Sequence, residues 1–240
     1  MNLFDKYTST IVLANADAVA LTKTSIRNFE RNILPMLPAD RQAKILDIGC
    51  GYGRYLVALD LGGYGNAFGI DVSEEQIAYA QEKLGLRNCM CIDALEFLGD
   101  QSETYDAIFL LDVMEHLDMA YAIDLCRAVH RALKPNGIFV VQVPNALSPL
   151  CPHLYADITH QRAFTTDSVE QMLRIGGFDG FRHSATPTPV HGFKSLVRRT
   201  AWEVIINPLL KAYFLIVVGS TLGGIYTPNL LTFTTKSSGT

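Results

Sequence analysis

One stretch decides the fold of this 240-residue chain: residues 44–54, which read KILDIGCGYGR. The apolar run Ile45–Ile48 leads directly into glycines at every second position, and this pattern predicts a buried strand that ends in a tight loop. A helix is expected to begin near Arg54. Because glycine has no Cβ, a ligand can approach such a loop closely, and the free N–H groups at the helix start favour a carboxylate or another negative group.

Two familiar nucleotide-binding loops are excluded by the residues that follow the second glycine. A dinucleotide-binding loop needs glycine at the sixth position of Gly-x-Gly-x-x-Gly, where this chain has Arg54. A phosphate-binding P-loop needs Gly-Lys-Ser/Thr, and no such triplet follows. The remaining pattern is Asp-x-Gly-x-Gly-x-Gly, from Asp47 to Gly53. Taken alone, it is also compatible with a glycine turn that binds nothing, so its neighbours decide.

Strand-like and helix-like segments alternate from residue 44 onward. The predicted strands are Ile45–Ile48, Asn66–Ile70, Asn88–Ile92, Tyr105–Leu111, Ile138–Val143, Gly180–Ala185 and Asn229–Thr235. Strands that alternate with helices pair in parallel through right-handed crossovers, so the sequence predicts a doubly wound α/β sheet. Residues 1–40 form an N-terminal section with two predicted helices, 11–21 and 24–34. It would cap the ligand cleft, with Tyr7 as a contact.

The residues directly after the strands are the candidate ligand contacts, because ligands of open α/β sheets lie beyond the carboxyl ends of the strands. Asp71 follows the second strand, where an acidic residue accepts hydrogen bonds from both ribose hydroxyls of a nucleoside. Asp93 and Ala94 follow the third strand, where a carboxylate would meet an adenine amino group. Asp112 and His116 follow the fourth strand. The alternative for Asp71 is a turn residue in front of a helix.

Composition excludes several classes of protein. The net charge is −4 and no block of Lys or Arg occurs, which argues against nucleic-acid binding as the main activity. The five cysteines contain no paired Cys-x-x-Cys motif, so reduced thiols in a cytoplasmic protein are expected. The N-terminus lacks a basic region followed by an apolar core, and no secretion signal is predicted.

Five segments in matching order and spacing resemble the class I S-adenosylmethionine (SAM) dependent methyltransferases. They are ILDIGCGYGRYL, FGIDVSEEQIAYA, CIDALEF, YDAIFLLDVMEHL and LKPNGIFVVQVPN, and they cover residues 44–145. The resemblance implies SAM as cofactor and a Rossmann-like seven-stranded sheet, mostly parallel with an antiparallel last strand. It also implies one class I domain over residues 1–240. The implied cofactor-binding residues are Asp47, Gly49, Gly51, Gly53, Asp71, Val72, Asp93, Ala94, Leu111 and Asp112.

Three histidines are candidates for a general base: His116, His153 and His160. A hydroxyl acceptor benefits from a base, because an undissociated hydroxyl attacks poorly, and histidine has a near-neutral pKa suited to that work. His160 is the main candidate, because it lies in YADITHQRAFTT after the fifth strand, where a substrate would be held. His116 is the less favoured candidate, since it is expected to shape the cofactor wall.

The same segment resembles a D-x-T-H-x-R-x-F-T string of methyltransferases associated with bacterial surface sugars and glycolipids, with looser kin among quinone-type O-methyltransferases. Arg162 and Tyr155 are therefore candidate substrate-binding residues. The alternative is that His160 and Arg162 only lock a loop through hydrogen bonds. Asp157 with His160 makes two potential metal ligands without further support, so no metal site is predicted.

The section 146–240 is expected to form the substrate side, with a helical insertion at about 194–218. Apolar residues spaced by three and four predict an amphipathic helix, interrupted or kinked at Pro208. Two readings are open: a helix that packs on the sheet or on another subunit, and an interfacial helix with basic residues at lipid headgroups. No transmembrane segment is predicted, because Asn207, Pro208 and Lys211 break the apolar run and a spanning helix needs about 20 mainly apolar residues.

These observations together predict a cytoplasmic SAM-dependent O-methyltransferase that acts on a hydroxyl of a sugar or glycolipid intermediate, as in polysaccharide biosynthesis. It would act at the inner face of the membrane if the 194–218 helix contacts lipid. One alternative is methylation of a phenolic or quinone-like small molecule. Another is a non-catalytic methyltransferase-like binding subunit. The oligomeric state is left open.

Overall fold

The computed structural model describes residues 26–187, 190 and 192–237. Residues 26–32 are helical and form the described part of helix α1, which leads into a 3-10 turn at Leu34–Met36. This agrees with the second predicted N-terminal helix. The first predicted helix, 11–21, and the proposed contact Tyr7 lie outside the described residues.

The remaining elements alternate along the chain as the sequence predicts. The strands are β1 (Ile45–Ile48), β2 (Ala67–Asp71), β3 (Cys89–Cys91), β4 (Tyr105–Leu111), β5 (Leu133–Pro144), β6 (Asp179–Ala185) and β7 (Asn229–Thr235). The helices are α2 (Arg54–Leu61), α3 (Glu74–Leu84), α4 (Ala94–Leu98), α5 (Met119–Ala132), α6 (Pro152–Tyr155), α7 (Thr166–Ile175) and α8 (Phe193–Val218).

The sheet has seven strands in the order β3-β2-β1-β4-β5-β7-β6. β1 pairs in parallel with β2 and with β4, and β7 runs antiparallel to both of its neighbours. The predicted doubly wound sheet with an antiparallel last strand is therefore confirmed. Because the chain leaves β1 in one direction along the sheet and later continues at β4 in the other, the strand order reverses beside β1, where open α/β sheets bind ligands.

Apolar side chains bury both faces of the sheet. All four residues of β1 are buried, and successive side chains point to opposite faces. Leu46 belongs to a buried cluster that includes residues of α4, α5 and α7, whereas Ile45 belongs to a cluster that includes Phe29 of α1 and residues of α2 and α3. Helices thus cover both sides, and only the ends of the strands stay open for a site.

β5 begins earlier than the sequence predicts. The expected strand is Ile138–Val143 after a turn at Lys134–Gly137, but the observed strand begins at Leu133, directly after α5. Asn136 takes a positive φ of 63°, and the pairing with β4 shifts between Tyr105 and Ala107. A register shift of this kind accommodates turn-type residues inside a strand.

Helix α8 bears on two predictions. Of the interruption or kink predicted at Pro208, the interruption does not occur. Because proline has no N–H and its ring crowds the carbonyl four residues earlier, the helix instead widens to a π-helical segment at Trp202–Ile206 and then continues. The sequence also predicts no transmembrane segment; among the described residues, α8 is 26 residues long and apolar enough to cross a membrane by length and composition alone.

Candidate active site

The glycine loop after β1 is fixed to the end of β2 by backbone hydrogen bonds. The N–H groups of Gly49 and Cys50 donate to the Ile70 carbonyl at 2.8 and 3.0 Å. Gly49, Gly51 and Gly53 all have positive φ, at 70°, 57° and 87°, which only glycine adopts without strain. A Cβ at Gly51 would lie 2.8 Å from the Gln76 side-chain oxygen. The loop therefore needs glycine for both conformation and space.

Asp71 lies at the end of β2 and holds this loop. Its Oδ2 accepts from the Gly51 N–H at 2.8 Å and its Oδ1 accepts from the Ser73 N–H at 2.8 Å. Burial raises the pKa of the Asp71 carboxyl, and the backbone N–H groups of Ser73, Gly51 and Val72 oppose that shift. Each carboxylate oxygen keeps a second lone pair, so Asp71 can cap this turn and also accept from ribose hydroxyls.

A cavity beyond the carboxyl ends of β1, β2 and β4 brings several predicted residues together. Its polar lining includes Gly49, Asp71 and Asp112. Its apolar lining includes Val72, Ile92, Ala94, Leu117 and Leu125, and Tyr121 also lines it. Polar groups beside apolar side chains suit a nucleoside, whose ribose forms hydrogen bonds while its base lies between apolar side chains.

The Asp93 carboxylate, which is predicted to contact adenine, forms hydrogen bonds within the protein. Its Oδ1 accepts from the N–H groups of Leu95 and Glu96, at 2.8 and 3.1 Å, and so caps α4. Its Oδ2 accepts from the Tyr121 hydroxyl at 2.7 Å. The carboxylate therefore positions Tyr121, which lines the cavity together with Ala94. Direct contact of Asp93 with adenine stays a prediction.

Asp47 is buried beneath the loop. Its side chain belongs to a residue that is 1% exposed, and its Oδ2 has no hydrogen-bond partner among the described residues. Burial raises the pKa of the Asp47 carboxyl to about 7, while Arg54 lowers it and Asp71 raises it further. Asp47 thus interacts electrostatically with Arg54 and Asp71. Support of the loop by hydrogen bonds of Asp47 stays a prediction.

Asp112 forms the wall between the cofactor cavity and a second cavity beside it. It has a positive φ of 59°, a strained conformation for a residue other than glycine. Its Oδ2 accepts from Arg54 at 2.8 Å and its Oδ1 accepts from the Gln142 amide at 2.8 Å. Buried Leu111 precedes it and lines the second cavity. The strained turn aims the carboxylate between the two cavities.

The second cavity is polar, and all three candidate histidines line it. Its lining includes Tyr52, Tyr55, Glu115, His116, His153, Asp157, His160 and Asn229. Because Asp112 and Gly49 line both cavities, the two cavities are adjacent. The second cavity is where an acceptor would be positioned.

Hydrogen bonds decide which nitrogen of each histidine carries the proton. His160 Nδ1 lies 2.7 Å from the His153 carbonyl oxygen. Since a carbonyl only accepts, Nδ1 donates and the neutral ring has its lone pair on Nε2. His116 Nδ1 lies 2.8 Å from the Thr159 hydroxyl, which donates its own hydrogen to Asp157 at 2.7 Å. The hydroxyl therefore accepts from His116 Nδ1, and the second lone pair lies on Nε2.

Glu115 is the functional residue that the sequence reasoning missed. It is 1% exposed, and its Oε2 has no hydrogen-bond partner among the described residues. Burial raises the pKa of its carboxyl well above the ordinary value, and the neighbouring Asp112 raises it further. Its Oε1 lies 3.9 Å from His160 Nε2. The available signal was an acidic residue beside His116 in the segment after β4.

The loop that carries His160 is locked to the turn that carries Glu115 and His116. The Gln161 N–H donates to the Glu115 carbonyl at 2.8 Å, and the Gln161 amide donates to the His116 carbonyl at 2.7 Å. Hydrogen bonds that lock this loop, the alternative reading of the segment, are thus observed for His160 and Arg162 as well as for Gln161, and they do not test whether His160 is also a base. The lock also brings His116 and His160 to a ring-centroid distance of 4.6 Å.

The two predicted substrate-binding residues lie away from this cavity's lining. The Arg162 guanidinium contacts the Met119 sulfur at 3.9 Å and the Gln161 side-chain oxygen at 3.0 Å. Tyr155 is 80% exposed on α6. Contact of either residue with a substrate would need a bound acceptor that extends out of the cavity, and it stays a prediction.

Comparison with known proteins supports the class that the sequence predicts. Residues 45–137 match a family model described as a methyltransferase domain. The bovine N-terminal Xaa-Pro-Lys N-methyltransferase 1 is 32% identical over 137 residues, which are 55% of this chain and 60% of that protein. The chain therefore spans less than two thirds of the length of this relative.

Two solved structures share the fold over most of the chain. A SAM-dependent methyltransferase from Archaeoglobus fulgidus matches with a TM-score of 0.67 and 20% identity, over 90% of this chain and 94% of that one. Phosphoethanolamine N-methyltransferase 2 from Haemonchus contortus, in complex with SAM, matches with a TM-score of 0.64 and 18% identity, over 99% of this chain and 61% of that one. Residues 45–137 thus match a methyltransferase-domain model, and the chain shares its fold with these two methyltransferase structures.

The substitution Asp71→Asn tests the ribose contact. The amide oxygen can still accept from the Gly51 N–H, but the charge that strengthens hydrogen bonds from ribose is lost, so we expect SAM binding to weaken by about 10- to 100-fold. Isothermal titration calorimetry measures this change. Glu82→Gln, the same charge change at an exposed position of α3, is the matched control. Equal SAM affinity in both variants would exclude Asp71 from the cofactor site.

The raised pKa of Asp47 predicts a pH dependence of stability without cofactor. The folded pKa is about 7 and the ordinary value is 3.8, so between these values the unfolded state binds fewer protons and stability falls as pH rises. Above about pH 7 this contribution is constant. Urea unfolding at several pH values should show wild type losing stability relative to Asp47→Asn over that interval. Parallel pH profiles would contradict the assignment.

Proposed function

We propose that this chain, whose residues 45–137 match a SAM-dependent methyltransferase domain, transfers a methyl group to a hydroxyl of a sugar or glycolipid acceptor. The observation that carries the proposal is the polar cavity that shares Asp112 and Gly49 with the cofactor cavity. A fixed lone pair on His160 Nε2 lies at this cavity, because Nδ1 donates to the His153 carbonyl.

The chain's contribution is alignment and proton removal. When bound, SAM supplies a methyl group on a positively charged sulfur, and the acceptor oxygen takes that methyl while the C–S electron pair stays on the sulfur. The cavity walls hold the acceptor oxygen in line with that bond, and alignment of this kind supplies much of the rate enhancement. His160 Nε2 accepts the hydroxyl proton, a general-base role that its tautomer permits.

The character of the cavity supports a hydroxyl-rich acceptor. Its polar groups include carboxylates, imidazoles, two tyrosines and the Asn229 amide, which together offer many acceptors and donors to sugar hydroxyls. Helix α8 adds a large exposed apolar surface near the same C-terminal section, which favours a lipid-linked sugar over a free one. A phenolic or quinone-like acceptor is the alternative, and it would need a more apolar slot than this cavity offers.

Methylation of an amine is a second candidate function. The bovine relative and the Haemonchus contortus structure are N-methyltransferases by name. The carboxylates of Asp112, Glu115 and Asp157 near one another would attract a cationic amine. A neutral imidazole would remove its extra proton before attack. The acceptor atom therefore has to be identified by experiment.

A transfer assay with methyl-labelled SAM distinguishes these functions. Acceptor panels should contain lipid-linked and free sugars, phenols and primary amines, and product mass and fragmentation identify the methylated atom. We expect an O-methylated sugar or glycolipid. Methylation of amines alone would overturn the oxygen assignment, and SAM binding without transfer to any panel would favour the non-catalytic binding subunit.

The substitution His160→Ala tests the base. We expect kcat to fall by about 100- to 10,000-fold with unchanged SAM affinity. The control is His183→Ala on β6. The His183 ring forms a hydrogen bond with Glu170 at 2.9 Å and is not among the residues that line the cavity. Full turnover by the His160 variant would remove it from the mechanism.

A further inference from the structure

Three potential metal ligands converge in the second cavity, the acceptor cavity of the proposed function. The ligand atoms of Glu115, His116 and His160 all lie within 4.8 Å of one another. They come from two segments that are held together by the hydrogen bonds of Gln161 to the backbone of the Glu115–His116 turn. Gln161 therefore holds the two segments together through its backbone N–H and its side-chain amide.

The hydrogen bonds around the cluster prepare both imidazoles as ligands. Each Nδ1 donates outward, from His160 to the His153 carbonyl and from His116 to the Thr159 hydroxyl. Each ring thus has its lone pair on Nε2. Histidines that bind metals almost always donate their other ring N–H to a carbonyl, a carboxylate or a similar acceptor, which fixes tautomer and orientation. Asp157 completes this arrangement by accepting from the Thr159 hydroxyl at 2.7 Å.

The burial of Glu115 is a second observation that favours cation binding at this cluster. The residue is 1% exposed, and its Oε2 has no hydrogen-bond partner among the described residues. A buried carboxylate is costly unless it is paired or coordinates a metal. The positive charge of Arg54 acts on the Glu115 carboxyl, but the Arg54 guanidinium is already bound to Asp112 at 2.8 Å. The carboxylate faces lone pairs of two histidines, and a cation between them would satisfy all three.

We propose that Glu115, His116 and His160 bind a divalent transition-metal ion such as Zn²⁺ in the acceptor cavity. Two imidazole nitrogens and one carboxylate oxygen form a donor set known from catalytic zinc sites, which keep one position open. Ligand atoms around tetrahedral zinc lie about 3.4 Å apart. The Glu115 Oε1 to His160 Nε2 distance is 3.9 Å, so small side-chain movements suffice.

The open position gives the ion a role that rests on the proposed function. An acceptor hydroxyl bound there would lose its proton to water more readily, because the metal stabilises the alkoxide. His160 would then act as a ligand, and Glu115 and His116 would become equally necessary. The general-base account needs His160 alone. The two mechanisms therefore predict different effects of Glu115 and His116 substitutions, and of a chelator, on the rate of methyl transfer.

Metal binding is tested without any acceptor. Purified, chelator-treated protein is dialysed against Zn²⁺, and bound metal is measured by mass spectrometry, with Co²⁺ as a probe whose visible absorption reports the donor set. We expect about one ion per chain and at least tenfold weaker binding in Glu115→Gln and His160→Ala. Glu170→Gln and His183→Ala, the substitutions of another Glu–His pair, are matched controls. Retained SAM affinity shows that each variant is folded.

The outcomes separate this site from the proposed function. No bound zinc in the wild type, or equal zinc binding in the Glu115 and Glu170 variants, overturns the metal site. Zinc bound as expected but no methyl transfer to any acceptor leaves the site standing and rejects the function. Full methyl transfer by chelated, zinc-free protein rejects the catalytic role of the ion.

A second inference rests on a different part of the molecule, helix α8. Leu215, Ile216, Val217 and Val218 are 51%, 84%, 61% and 52% exposed. Successive residues of an α-helix differ by about 100° in direction, so these four apolar side chains point to different sides of the helix. A helix that fits a protein groove presents one apolar stripe. Exposure of apolar groups on several sides suits a lipid environment instead.

The attachment of α8 to the domain decides its orientation toward lipid. Trp202 and Arg199 line one surface pocket with Thr227 and Pro228, and the Phe214 ring stacks on Tyr226 at 5.2 Å. Five residues after the helix, the backbone at Gly223 lies against Thr166 of α7. Because contacts occur along the helix and beyond its end, both ends lie at the same domain. A spanning helix would place its ends on opposite sides of the bilayer.

We infer that α8 inserts in the plane of one leaflet of an anionic membrane. Its first two turns carry the exposed residues Lys194 and Arg198, which would face anionic headgroups, and the apolar second half would lie at the acyl chains. Lys211 has a long side chain that can reach the headgroups from within the apolar half. This surface would bring the cavity to a lipid-linked acceptor, and the cytoplasmic face of a membrane is the predicted location.

Co-sedimentation with vesicles of phosphatidylcholine containing phosphatidylglycerol tests this surface. We expect wild type to bind, and the double variant Ile216→Glu and Val217→Glu to bind at least about tenfold less. Leu61→Glu, which changes another exposed apolar residue (68%) on α2, should bind as wild type does. Trp202 is the single tryptophan of the chain, so quenching by brominated lipids reports insertion. No binding by wild type, together with a dimer in light scattering that the double variant disrupts, would assign α8 to a second copy instead.

Discussion

The parallel pairing of β1 with β2 on one side and β4 on the other is the constraint on which the site depends. It brings the residues that follow the three strands to one edge of the sheet, although they are distant in sequence. Asp71 then closes the glycine loop by accepting from Gly51, and Asp112 forms the opposite wall with its own strained turn. A cofactor cavity results from backbone geometry before any ligand binds, and glycine is required because the loop curves through positive φ.

The acceptor side depends on a second lock, in which the 157–162 loop is tied to the turn after β4. Gln161 supplies that lock, and its effect is to collect lone pairs of two histidines and a buried carboxylate at one point. Within this cluster the Glu115 carboxylate is buried, and its Oε2 has no hydrogen-bond partner among the described residues. A proton, a cationic amine or a metal ion would satisfy that oxygen. These possibilities correspond to the general-base, N-methylation and metal hypotheses, and they share one geometry.

Much of the fold could be read from the sequence because its signals are local. The apolar run before Asp47 and the alternation of strands and helices both depend on neighbours in sequence. Glu115 could not be assigned in this way, since its burial depends on a loop more than 40 residues later. The same limit explains Arg162 and Tyr155, whose motif resemblance did not determine where their side chains point. At Pro208 the sequence predicts an interruption or a kink, because it does not distinguish these from the continuous helix with a π-helical segment that is observed.

A crystal structure with S-adenosylhomocysteine and a zinc-loaded chain tests the central claim most directly. The account predicts the ribose hydroxyls at the Asp71 carboxylate, the amino acid part along the loop from Gly49 to Gly53, and the sulfur facing the cavity of Glu115, His116 and His160. A ligand bound elsewhere, or a sulfur that faces away from that cavity, would contradict it.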